Sequence, residues 1–137
     1  MNLKKYIMTL AMLLIATGNL MAQNKKTTVY MFGFSASFND STVYMTEIQQ
    51  VDDAWVNNKT NHLVKRDDYS YQLRNYLKAQ GEETPTCVTF YALKPKDIQK
   101  KYDNLKKRYT DKRKGDYIVR ELPMANFSYT AVLPDDQ

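Results

Sequence analysis

Cysteine occurs once in this 137-residue sequence, histidine once and tryptophan once, and there are only four glycines. Each shortage excludes something. The lone thiol, Cys87, cannot close an internal disulfide, so the fold rests on packing rather than covalent staples. Four scattered glycines supply no phosphate-cradling loop. With so little His and Cys, a metal centre would have to come from carboxylates. These stand largely as adjacent doublets: Asp52-Asp53, Asp67-Asp68, Glu82-Glu83 and Asp135-Asp136. Neighbouring side chains on a strand or helix point apart, and no calcium-loop spacing is present, so no metal or other cofactor is expected. A nucleophilic Cys–His pair fares no better. Cys87 lies in an apolar run that keeps a thiol protonated, and His62 lies in an irregular stretch with no orienting partner. An enzyme working through surface carboxylates is left without a positive motif.

Long hydrophobic runs are also missing beyond the first residues. Lys4 and Lys5 precede an almost unbroken apolar stretch, Ile7 to Ile15, and Leu20-Met21-Ala22 then offers a cleavage site before Gln23. The pattern is that of a signal peptide over residues 1–22. The stretch is too short for a membrane span of about 20 residues, and nothing later could serve as one. Residues 23–137 are then a single small domain delivered to a bacterial periplasm or secreted fraction. Export with no disulfide favours a bacterial envelope or secreted protein over a disulfide-dense animal module.

What is present reads as alternating strands and helices. Thr28 to Phe34 is apolar on both faces and predicts a strand, with Gly33 a bulge or a point of close approach. Turn residues at Phe38 to Ser41 lead to a second strand, Thr42 to Val51, completing a hairpin. Asp52 to Lys65 has many turn formers and no period, and predicts a loop pinned by Trp55, Leu63 and Val64. Asp67 or Asp68 caps a helix whose Tyr69, Leu73, Tyr76 and Leu77 share one face, and Gly81 closes it. TCVTFYAL, residues 86–93, is the most apolar strand and is placed at the centre of the sheet. Pro95 opens a second helix with an Ile98, Tyr102, Leu105, Tyr109 stripe, ended by Gly115. Tyr117 to Leu122 and Phe127 to Leu133 are the final strands. The expected fold is therefore α+β, a mixed four- to five-stranded sheet in the order β-β-α-β-α-β-β, packed with two helices around a central strand 86–93. Two layers are the first expectation and three layers the rival.

Val29-Tyr30 on the first strand and Val43-Tyr44-Met45 on the second, before a helix bearing Arg74, faintly resemble the GIY-YIG nucleases. Both glycines of that pattern are absent, the local sequences being Thr28-Val29-Tyr30 and Tyr44-Met45-Thr46. The resemblance implies no nuclease activity here.

Charge is the one feature that points to a partner. Residues 94–114 hold eight lysines and two arginines against three aspartates, a net of +7, whereas the rest of the chain beyond residue 22 is net negative. On a helical wheel Lys100, Lys107 and Lys114 lie opposite the apolar stripe, and Lys101 and Arg108 flank it. The plain reading is a solvated face with snorkelling stems. The functional reading is a polyanion-binding face made of Lys100, Lys101, Lys107, Arg108 and Lys114, facing lipid headgroups, glycan, nucleic acid or an acidic protein. The leading expectation is a non-catalytic binding or structural module. An electrostatic binder acting through the basic helix, residues 95–114, is the alternative. Tyr71, on the first helix beside Arg74 and Lys78, is the tyrosine expected to face solvent.

Overall fold

A computed structural model describes residues 23–112 and 115–135. Residues 1–22, which carry the signal-peptide pattern, and Lys114 lie outside the described residues. The elements are β1 (Asn24–Ser37), β2 (Thr42–Thr46), β3 (Gln49–Asn57), α1 (Arg66–Ala79), β4 (Pro85–Ala92), α2 (Pro95–Thr110) and β5 (Ile118–Leu122). They form a mixed five-stranded sheet with two helices, an α+β arrangement.

The longest strand, β1, is the axis of the sheet. It pairs antiparallel with β2 and β3 on one side and with β4 on the other, and β5 joins β2 in parallel. β2 and β3 are two parts of one return strand. Between Phe34↔Met45 and Met31↔Gln49 the return strand gains one residue on β1, and a second register shift falls between Thr27 and Val29. Asp53 takes a left-handed φ of 60° beside that second shift, as a bulged residue can. The first acidic doublet is thus bulge chemistry, with Asp52 accepting from Thr28 Oγ1 at 2.9 Å and Gln50 Nε2 at 3.1 Å. The segment read as a loop from Asp52 is strand to Asn57. The bulge masked its alternation, because an inserted residue flips the inside-outside pattern partway along.

Alternation along β1 splits the interior into two cores. Val29 and Met31 face α1 with Tyr69, Leu73 and Leu77, whereas Phe32 and Phe34 face α2 with Ile98 and Leu105. The molecule therefore has three layers, helix–sheet–helix, rather than the two first expected. Gly33 is a point of close approach. A Cβ there would lie 2.7 Å from Leu73 Cδ2 and collide with Tyr129 Oη.

Strand 86–93 is not central. Among the described residues β4 pairs only with β1, and Val88 is 39 % exposed. Its apolar character is real, since Cys87 and Tyr91 pack toward the α1 core and Phe90 and Ala92 toward the α2 core. Two covered faces report the number of layers and say nothing about whether both backbone edges are paired. Tyr30 and Tyr44 pack against opposite cores, so the tyrosine pair of the nuclease comparison does not converge.

The helix ends follow local chemistry. Lys65, at φ 57°, precedes α1, and Asp67 and Asp68 occupy its first turn without capping it. Gly81, at φ 102°, lies just past its end as expected. Pro95 and Asp97 take the first turn of α2, which ends at Thr110, short of Gly115. Phe127 to Leu133 forms no strand. Two glutamine side chains hold this segment in place of a ladder. Gln49 donates to Phe127 O at 2.9 Å and accepts from Tyr129 N–H at 2.7 Å, and Gln72 does the same for Thr130 at 2.8 Å each way.

Candidate functional site

A cleft lies where the end of β4, the β3–α1 turn and the first half of α2 meet. Its volume is about 760 Å³. Asn57 shapes the turn by accepting from Lys59 N–H at 2.9 Å and Thr60 N–H at 3.1 Å. Asn61 then turns through a left-handed φ of 60°, which brings His62 to the rim. Lys94 follows β4 and precedes Pro95, where the chain leaves the sheet for the helix.

Arg66 forms the opposite wall. Its Nε donates to Thr89 O at 2.7 Å, covering a carbonyl on the free side of β4, and its guanidinium lies 5.3 Å from the Tyr91 ring centroid. A planar cation held by one hydrogen bond and one ring face is pre-aimed, with the remaining guanidinium N–H groups available to an anion. From α2 come Asp97, Lys100, Lys101 and Asn104, spaced three, one and three residues apart and so on one helix face. Arg66, Lys94, Lys100 and Lys101 line this cleft with a single carboxylate, Asp97.

The charged face foreseen on the second helix is thus divided. Lys100 and Lys101 line the cleft; Lys107 continues along the outer side of α2 with Lys96 and Lys100, and Arg108 is exposed one turn beyond Asn104. Lys106, another cation of that helix, is engaged: it binds Glu121 and lies 5.9 Å from the Tyr102 ring centroid. Arg66 belongs to the site and is not singled out by the sequence, and Lys94, part of the charged run 94–114, joins it here. Nothing in the local pattern of Arg66 announces this convergence, because it reaches the cleft only through the packing of α1 against β4.

No known family, characterised protein or solved structure matches this chain.

A second cleft, of about 690 Å³, lies at the other end of β4. Tyr71, Arg74 and Lys78 line it from α1, with Phe38 and Cys87 opposite, so Tyr71 is solvent-facing as its helical position implied. Cys87 Sγ donates to Ser35 Oγ at 3.4 Å. Burial pushes its thiol pKa up, against smaller opposing effects of Ser35 and the Arg74 charge. His62 and Cys87 therefore line different clefts and are not paired. Among the described residues no three His, Cys, Asp or Glu side chains cluster as a metal site would require.

Proposed function

We propose that this chain is an exported, non-catalytic binding domain that engages an anionic partner through the basic cleft and the adjoining outer face of α2. The carrying observation is the convergence of Arg66, Lys94, Lys100 and Lys101 on one concave surface, opposed only by Asp97. Cations scattered over a surface chiefly keep a protein soluble. Cations gathered in a cleft focus the field and raise the local concentration of an anion. The pairing of Arg66 with Thr89 and Tyr91 adds pre-organisation, which lowers the ordering cost of binding.

Export is the companion proposal, resting on the lysines, apolar run and Ala22-Gln23 junction of the first residues. Intact-mass analysis of the protein recovered from its native envelope or medium should give a chain beginning at Gln23; retention of Met1 contradicts export by cleavage. The binding proposal is tested by retention on a sulfated-polymer resin. The mature chain should bind at about 0.1 M salt and elute well before 1 M, as the Debye length falls from about 10 Å to about 3 Å. Passage through the resin at the lower salt contradicts it.

A further inference from the structure

Asp97 is the residue in the cleft that a purely electrostatic anion site would omit. It lies in the first turn of α2, on the face that also presents Lys100, Lys101 and Asn104. For a phosphate chain this carboxylate is a repulsive neighbour with nothing to accept, since a phosphodiester has no donor. For a ligand that carries hydroxyls as well as acids, the same carboxylate is a strong acceptor. Asn104 and Asn61 add amide groups that both donate and accept, and Thr60 adds a hydroxyl.

The aromatic lining points the same way. A site for single-stranded nucleic acid needs open ring faces on which bases stack. One face of the Tyr91 ring lies against the Arg66 guanidinium, and one face of the Phe90 ring stacks on Phe32 at 5.0 Å between centroids, 11° from parallel, so at most one face of each is left to a base. A vesicle surface is flat or convex toward the protein, whereas here the cations ring a concavity. Beyond the cleft, Lys100, Asp97 and Asn104 also border a smaller groove along α2 that takes in Asp103 and reaches Lys107. The polar track is thus longer than one sugar ring.

Building on the anion-binding reading above, we infer that the cleft binds an acidic polysaccharide strand. Arg66, Lys94, Lys100 and Lys101 would take its sulfate or carboxylate groups, and Asp97 and Asn104 would bind its hydroxyls.

The test is a sign. The mature chain and two variants, Asp97→Ala and Asn104→Ala, are titrated with a sulfated hexasaccharide, a uronate hexasaccharide and a single-stranded DNA of matched charge. Anionic vesicles form a fourth arm. Thermal melts confirm that each variant is folded; Asn104 is exposed on a helix, where Ala is the better helix former. Removing the Asp97 charge must strengthen any binding governed by charge alone. The inference expects DNA to bind the Asp97→Ala variant more tightly than wild type, while at least one acidic hexasaccharide binds it more weakly. Asn104→Ala should weaken that hexasaccharide by about two- to tenfold, the size of one uncharged hydrogen bond, and leave its salt dependence unchanged. If Asp97→Ala strengthens hexasaccharide and DNA alike, or if only vesicles bind, glycan recognition is overturned while anion binding stands. If no probe binds wild type at low salt, both readings fall.

Discussion

Gly33 shows how little room single residues have in this protein. Leu73 and Tyr129 occupy the volume a side chain at position 33 would need, and Gly33 N–H donates to Thr46 Oγ1 at 2.8 Å, fixing the backbone there. Gly33→Ala should lower the unfolding free energy by about 1–3 kcal/mol, the usual result of overpacking a closed core, read from a urea midpoint with unchanged slope. An unchanged midpoint would mean that the α1 core yields easily. Cys87 offers a second check. With its thiol half-buried, bound to Ser35 and raised in pKa, native labelling at pH 8 should be much slower than in denaturant. Equal rates would place the thiol in open solvent. Tyr102 reports on pH. Burial, reinforced by the Glu121 carboxylate, pushes its phenol up to about 12. The folded state then holds this proton more tightly than the unfolded state. Its contribution is full below about pH 10, the ordinary phenol value, and is lost as the pH rises through about 12. The pH titration of stability should fall across that interval, and Tyr102→Phe should flatten the fall.

Elements were legible in the sequence wherever one signal acted without interference. Both helices, with Gly81 past the end of α1 and Pro95 at the start of α2, follow from periodicity and terminal chemistry. The return strand of the hairpin reads only to Val51 because the register shift at Asp52-Asp53 breaks its period, while the shift at Glu47-Ile48 splits it without hiding it. The C-terminal segment was taken for a strand because Phe127, Tyr129 and Ala131 alternate. They do face the α1 core, but the backbone is held by Gln49 and Gln72 rather than by a neighbouring strand. No pattern in a single sequence distinguishes a glutamine that will clamp a distant backbone from one that faces water. Replacing Gln49 by Ala leaves the Phe127 carbonyl and the Tyr129 N–H without these partners. The cost should be about 1–3 kcal/mol. Faster amide exchange at Tyr129 should accompany it; exchange as slow as in wild type would show that the packing of Phe127 and Tyr129 suffices.

At the scale of the whole molecule, the position of β4 sets the two clefts. Crossing from one side of β1 to the other, the chain leaves β4 on the outside of the sheet, with a cleft at each end and Arg66 closing a carbonyl between them. Arg66 thus blunts an exposed edge and arms the basic cleft at once. The sequence exposed half of this site, Lys100 and Lys101 within a conspicuous charge run. It concealed Arg66, which becomes a neighbour of those lysines only in the folded chain; Lys94 lies in the same run, just before α2. The central claim is that these gathered cations bind an anion. It is tested most directly by measuring the dissociation constant of residues 23–137 for a sulfated oligosaccharide across a salt series, beside the Lys100→Glu/Lys101→Glu/Lys107→Glu variant. Surface substitutions of this kind usually shift stability by about 0.5 kcal/mol or less each, so the variant should remain folded. The account predicts wild-type binding that weakens steeply with salt and is abolished in the variant. Equal binding by the two proteins, or a wild-type affinity indifferent to salt, would contradict it.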